Sequence, residues 1–396
     1  MKAFDLIIYG ATGFTGGLCV DYIKKNYPDV NFAIAGRNEN KLRAISEKYN
    51  KPIDYFTVES TDKNGLALLA ASASVILNTA GPFYKYGSLV VESCVKENTH
   101  YIDITGESFW VREQIEKHHE EAAKRGVRII NACGFDSIPS DIGVFFAVNS
   151  VKEKIKKVSG FHSWKGEASG GTIETMFTSV EAKSAKGGFG RFSLNPQNTV
   201  SKHQADNTSD KVSVKKIKHL NGYTGPFVMA LPNTRTVRRS AALSKETGKY
   251  YGKDFVYTEG AYYSKLSSAW KVTLMTLFLG LIIFSPFRSF FRPLFRKPGQ
   301  GPSKAVMDSG FFKTRFLVET DERVRAFMVS ASGDPGYKMT SRMACESALC
   351  LILENPDSLP GGKNFGGVIT PSIGLGDVLV QRLKKIGVIF NEIMLD

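Results

Sequence analysis

Asp5-Leu6-Ile7-Ile8-Tyr9-Gly10-Ala11-Thr12-Gly13-Phe14-Thr15-Gly16 is the stretch that decides the fold. Asp5–Tyr9 reads as a short apolar strand that runs directly into glycines at positions 10, 13 and 16, and the residues from Phe14 to Asn26 read as a helix. Each glycine has a separate task at such a junction: Gly10 permits the tight turn, Gly13 lets the backbone approach a pyrophosphate, and Gly16 lets helix pack closely on strand. The free N–H groups of the helix start then face the phosphates. A glycine trio alone is weak, but a strand before it and a helix after it supply the confirming context. Thr12, Phe14 and Thr15 fill the turn and are assigned to the same dinucleotide site.

The pattern continues outward from that turn. Strands are expected at 5–9, 31–35, 53–58, 74–78, 100–104 and 128–132, with helices at 14–26, 39–48, 63–71, 88–97 and 109–125. Alternation of this kind predicts a doubly wound parallel sheet whose strand ends border a ligand crevice. At the end of the second strand an NAD site normally carries Asp or Glu for the adenosine ribose; this chain has Arg37, with Lys41 one helical turn on. The cations favour a 2′-phosphate, so NADP(H) ranks above NAD(H). Asn78, Thr79, Ala80 and Gly81 close the fourth strand with residues small enough to admit ribose and nicotinamide, and Tyr84 follows. The fifth strand ends with Asp103 and Glu107, which are either rim carboxylates or caps of the next helix. The sixth ends with Asp136, Ser137, Ser140 and Asp141. Asp136, Ser137 and Tyr84 are the candidates for polarising or protonating a substrate, whereas Ser140 or Asp141 would equally serve to cap a helix near Ile142. His118 and His119 fall in a polar helix and are expected to be solvated.

Composition narrows the class. The 396 residues, 42% hydrophobic and 23% charged, exclude a disordered or polytopic membrane chain. The 52 Lys+Arg against 38 Asp+Glu leave +14, which points to an anionic partner. Five cysteines without a CxxC pair give neither a complete disulfide framework nor a zinc site, so no metal is expected. The apolar run at 6–9 is too short for a signal peptide.

Residues 1–150 are read as the dinucleotide-binding domain. Residues 151–370 are read as a second, α+β domain with antiparallel strands near 170–178 and 249–257, a loop over 183–221, strands at 311–319 and 324–330, and a helix at 341–354. Residues 371–396 hold a helix that packs back on the first domain. Within the second domain, 272–284 carries no charge, but 13 residues span only about 20 Å, short of the ~30 Å hydrocarbon core. Arg288, Arg292 and Arg296 follow, interleaved with aromatics, and 265–304 contains no Asp or Glu. That composition suits a segment lying in a membrane interface, and places the chain as a peripheral or monotopic protein on the cytoplasmic side. The alternative is a buried core helix. No nucleic-acid-binding motif is present, so nucleic acid is not an expected partner; a homodimer is compatible with these features.

The chain resembles the saccharopine dehydrogenase-like oxidoreductases, including the trans-acting enoyl reductases of bacterial lipid synthesis. The likeness rests on Gly10–Gly16, Ala35-Gly36-Arg37, Asn78–Pro82, Tyr101–Glu107 and Gly134–Asp141. It extends to Gly299–Pro302, Asp334–Tyr337 and Gly367–Pro371. The resemblance implies an NADP-type Rossmann domain with an inserted second domain; it does not transfer saccharopine chemistry. Together with the apolar and basic segment, the reading is an NADP(H)-dependent oxidoreductase, a reductase, acting on a small-molecule, lipid or lipid-linked substrate at a membrane surface. The competing reading is a nucleotide-binding scaffold without turnover, associated with lipid.

Overall fold

The computed structural model describes residues 2–167, 190–210, 212–285 and 301–395. Its first half alternates strand and helix: β1 (Phe4–Tyr9), α1 (Phe14–Asn26), β2 (Phe32–Gly36), α2 (Glu39–Ser46), β3 (Tyr55–Thr57), α3 (Lys63–Ser72), β4 (Ala73–Asn78), α4 (Phe83–Tyr86), α5 (Ser88–Lys96), β5 (His100–Asp103), α6 (Ser108–Lys124), β6 (Arg128–Ile130) and α7 (Ile138–Asn149). Leu6, Ile7 and Ile8 are all fully buried. Burial on both faces is what a parallel strand covered by helices requires. β1 pairs in parallel with β2 (Ile7 opposite Ala33) and with β4 (Ile7 opposite Ile76), so the strand order reverses at β1. The crevice between the carboxyl ends of β1 and β4 is therefore the topological switch point where such sheets bind ligands.

The remaining elements are β7 (Ile155–Lys165), α8 (Lys202–Asn207), β8 (Lys215–Lys216), β9 (Tyr223–Gly225), α9 (Ala230–Leu243), β10 (Val256–Tyr263), α10 (Leu266–Phe284), α11 (Lys304–Ser309), β11 (Phe311–Thr320), β12 (Val324–Ser332), α12 (Thr340–Leu353), β13 (Gly367–Ile369), α13 (Pro371–Lys385) and β14 (Ile389–Ile393). They build a second sheet in the order β14-β12-β11-β7-β10-β9-β8. Every pairing in it is antiparallel except that of β7 with β10. β11 alternates Phe312, Thr314, Phe316 and Val318 inward, and all four are fully buried. The Phe316 ring lies against Gly143 of α7, leaving no room for a side chain there. α7 is apolar around most of its circumference because it is sandwiched between this sheet and α13.

Several expectations are corrected. The first sheet has seven strands, because β13, which lies inside the 151–370 range, pairs in parallel with β6. The segment from 371 onward holds α13, packed on α7 and α12, and adds an unexpected strand, β14, paired with β12 of the second sheet. The strand expected at 249–257 starts only at Val256; Tyr251 and Phe255 before it form a buried ring pair. α9 falls where strands and loops were expected. Its sequence shows no apolar stripe because Arg235, Arg238 and Arg239 occupy its buried surface. The loop expected over 183–221 includes α8, β8 and the start of the chain described again from 190. The expected strand at 170–178, residues 183–189, and Arg288, Arg292 and Arg296 lie outside the described residues.

α10 is a helix of 19 residues. Ala269 and Thr273 are buried against the body, whereas Trp270, Leu274, Leu277, Phe278 and Leu281 are exposed. A buried core helix is thus not what this segment forms. No helix among the described residues is long and apolar enough to cross a membrane.

Candidate functional site

The glycine turn is shaped as a phosphate cradle. Gly10 sits at φ +85°, and a side chain on it would strike Ala80 at 2.8 Å. Gly16 presses on the Gly10 carbonyl, Ala11 and the Thr79 hydroxyl, so it serves packing alone. At Gly13 an added Cβ would meet only the Gly10 carbonyl oxygen, at 3.2 Å; its outer side is open space that a side chain would fill. No side chain caps α1, which leaves its first N–H groups to a ligand. Those features fit a dinucleotide pyrophosphate. Phe14 has a different surrounding from that expected: its ring packs edge-on to Tyr337 at 5.1 Å and against Gly301, so it docks the second half of the chain onto the turn.

Arg37 and Lys41 are exposed beside the end of β2. Asn38, between them, caps α2 by accepting the Lys41 backbone N–H at 3.0 Å. Asn78 is fully buried, donates to the Tyr101 hydroxyl (3.0 Å) and accepts the Ala80 N–H (2.9 Å), so its amide shapes the rim. The Thr79 hydroxyl donates to the Tyr9 carbonyl at 3.0 Å. Ala80 and Gly81 remain partly or fully accessible.

The carboxylates divide by partner. Asp103 accepts the Thr105 and Ala132 N–H groups (3.0 Å each) and the Asn131 amide (2.7 Å). Glu107 accepts the N–H groups of Phe83 (2.9 Å) and Tyr84 (2.7 Å). Neither side chain caps α6; both brace neighbouring rim loops. Asp141 accepts the Ser240 hydroxyl and the Ser372 N–H (2.8 Å), and α7 begins at Ile138 without a side-chain cap. Burial lifts all three above the usual carboxylate range, Asp103 and Asp141 to about 6 and Glu107 to about 7. His119 is not solvated as expected: its Nδ1 accepts the Val368 N–H at 3.1 Å.

Asp136 differs from these. Its Oδ1 is enclosed and has no hydrogen-bond partner, and burial followed by the charge of Glu259 pushes its carboxyl to about 7. The loop that carries it is held by Thr340 of α12, whose hydroxyl accepts the Phe135 N–H at 3.0 Å. Ser137 is buried, with its hydroxyl 3.4 Å from that of Thr236. Tyr84 stands apart on α4, packed on Phe109 at 5.7 Å, and no hydrogen bond among the described residues joins it to Asp136 or Ser137. Sequence reasoning missed what lies behind Asp136. Glu259 and Tyr257 of β10, His162 of β7, Asn233 of α9 and Ser140 form one buried polar cluster. It is assembled from four separated elements, so no spacing in the chain announces it. A pocket at the carboxyl ends of β5, β6 and β13 is lined by Thr105, Gly106, Asn131, Thr236, Arg239 and Thr370. Arg239 is pinned there by the carbonyls of Leu194 and Val368.

Comparison with known proteins agrees with this geometry. Residues 6–130 match the saccharopine dehydrogenase NADP-binding domain family. Trans-acting enoyl reductases of Mycobacterium tuberculosis and Mycobacterium ulcerans are 32% and 31% identical to the chain, each alignment covering 98% of both partners. Apo saccharopine dehydrogenase (L-Glu forming) from Saccharomyces cerevisiae shares the fold, with a TM-score of 0.55 at 12% identity over 98% of this chain and all of that one. The chain belongs to the saccharopine dehydrogenase-like, NADP-binding oxidoreductases related to the enoyl reductases.

Proposed function

We propose that the chain is an NADPH-dependent reductase of a C=C bond conjugated to a carbonyl in a lipid-like acyl substrate, with Asp136 as its acid, working beside a lipid surface. The observation that carries this reading is Asp136 itself: a carboxyl at about 7, with an unpartnered oxygen, on the strand-end rim shared with the glycine cradle. A general acid works best when its pKa lies near the working pH. NADPH, when bound, would supply a hydride to the β-carbon. Asp136 would supply the proton for the α-carbon and recover one from solvent. Gly10, Gly13 and the uncapped start of α1 would hold the pyrophosphate, and Arg37 with Lys41 the 2′-phosphate. The names of the mycobacterial relatives favour C=C over C=O reduction. The lipid setting is supported by the apolar side chains that α10 leaves exposed next to Lys265 and Lys271.

The test is nicotinamide absorbance during incubation with 2-enoyl thioesters of N-acetylcysteamine, from short to long acyl chains. NADPH should be consumed in step with saturated product, and Asp136→Asn should slow turnover by roughly 10²-fold or more while NADPH affinity stays within about twofold. NADPH binding without consumption at any chain length would instead identify a nucleotide-binding scaffold.

A further inference from the structure

Glu259 is fully buried, and its oxygens are occupied by donors. Oε2 accepts the Tyr257 hydroxyl at 2.6 Å and the Ser140 hydroxyl at 3.1 Å, and Oε1 accepts the Asn233 amide at 2.8 Å. His162 completes the set, its Nε2 3.4 Å from Oε2 and its Nδ1 3.1 Å from the Thr314 hydroxyl. The imidazole cannot swing away, because it is stacked on Phe227 at 4.4 Å. A carboxylate meets all of these donors as an acceptor, whereas a protonated acid would have to lose one of the bonds. Asp136 is the opposite case: it lies between the contacts of this same cluster, beside Ser137, whose hydroxyl is 3.4 Å from that of Thr236 one turn of α9 from Asn233, and four residues before Ser140, yet its Oδ1 receives no donor. Two nearby carboxyls in such unequal surroundings divide the roles between them, one charged and the other holding the proton.

We propose that Glu259 is a positioning residue of the reaction: its donor-saturated carboxylate, fixed by Tyr257, Ser140, Asn233 and His162, keeps the proton on Asp136 until the substrate takes it. This rests on the reading of Asp136 as the acid. The upward displacement of Asp136, with Glu259 as its charged neighbour, agrees with the geometry. The other charged groups around the pair are already committed. Arg238 of α9 pairs with Asp210 at 2.8 Å and donates to the Tyr257 carbonyl at 3.0 Å; Arg235 pairs with the same Asp210 at 2.6 Å. Asp141, on the helix that follows Asp136, is held by Ser240 and the Ser372 N–H. Among the described residues, burial and then the charge of Glu259 act on Asp136.

The measurement is an infrared pH titration of the full chain, with the protonated-carboxyl band of Asp136 assigned by subtracting Asp136→Asn. In the wild-type protein the band should vanish with a midpoint near 7. Glu259→Gln should lower that midpoint by at least about one pH unit, and Glu259→Asp, which keeps the charge, should restore it. Tyr257→Phe serves if the Gln variant does not fold: with its shortest hydrogen bond gone, the Glu259 carboxylate is less firmly held, and the Asp136 midpoint should fall. A wild-type midpoint near 4 would overturn the proposal, as would a midpoint unmoved in folded Glu259→Gln or in Tyr257→Phe. No substrate or nucleotide enters the titration, so its failure is separate from failure of the thioester assay.

Discussion

Arg37 stands where a carboxylate would select the unphosphorylated dinucleotide, and nothing covers it. Replacing it with Ala removes a charge-assisted hydrogen bond to a 2′-phosphate, a loss of about 1.5–3 kcal/mol, or roughly 10- to 150-fold in affinity. Arg37→Ala should therefore weaken NADPH by that factor and leave NADH nearly unchanged, as read by fluorescence titration; equal wild-type affinities for both cofactors would remove the argument. Asp136 gives a prediction on stability. Its carboxyl is raised from an ordinary 3.8 to about 7, so the folded chain holds this proton more tightly than the unfolded chain does. The resulting stabilisation is complete below about pH 4 and is lost as pH climbs through about 7. Asp136→Asn should escape that loss, melting higher than wild type at pH 8 by the equivalent of about 1–3 kcal/mol, with no gain at pH 4. Thermal melts across this range decide it, and a variant destabilised equally at both ends would show that burial costs Asp136 little. At this scale the shape of the glycine turn was legible because Gly10, Gly13 and Gly16 act within one stretch of chain. Glu259, His162 and Asn233 were not, because their meaning comes from contacts between separate elements, 22 residues apart for Ser140 and His162, 26 for Asn233 and Glu259 and 119 for Ser140 and Glu259.

Elements were legible where their pattern follows from one buried face. β1 to β6 and, apart from the short α4, α1 to α6 lie close to where apolar runs and glycine punctuation put them. α9 was not, because three buried arginines replace the stripe that marks a packed helix; their charge is met by Asp210 and by backbone carbonyls instead of by exposure. α10 shows the converse, apolar residues that no packing consumes. Leu274, Leu277, Phe278 and Leu281 are between 57% and 71% exposed. Changing these four to Ser should leave the melting temperature within about 2 °C of wild type, because surface changes of this kind move stability little. If the helix lies in a lipid interface, the same change should cut co-sedimentation with vesicles at least tenfold, since burial of apolar area contributes about 25 cal/mol per Å². Preference for anionic over neutral vesicles should fade at high salt. Wild-type protein that is monodisperse without detergent and sediments with neither vesicle would assign α10 to a protein contact.

The whole molecule is joined more tightly than a two-domain reading of the sequence conveys. α12 lies along α1, where Glu346 accepts the hydroxyls of Tyr22 (2.6 Å) and Tyr27 (2.5 Å) and pairs with Arg382 of α13 at 2.7 Å. β13 completes the first sheet, and β14 forms an edge of the second. Arg128 of β6, almost fully buried, donates to the carbonyls of Gly374 (2.7 Å), Pro360 (3.1 Å) and Gly362 (2.6 Å), which all come from the last 40 residues. Cutting the chain after residue 150 therefore exposes α7, opens the β6 edge and strips a buried guanidinium of its acceptors. Leaving polar groups of that kind unpaired costs several kcal/mol, comparable with the net stability of a domain. Fragment 1–150, although it contains every glycine of the nucleotide cradle, should fail to unfold cooperatively and should bind NADPH at least 100-fold more weakly than the full chain. Deleting residues 364–396 from the intact chain should have the same effect, because that segment supplies a strand to each sheet, the Val368 carbonyl that Arg239 donates to and the Gly374 carbonyl that Arg128 donates to. Differential scanning calorimetry and nucleotide titration test both. A dispersed amide spectrum and near-native NADPH affinity for 1–150 would show that the dinucleotide-binding half folds by itself and that the C-terminal strands only decorate it.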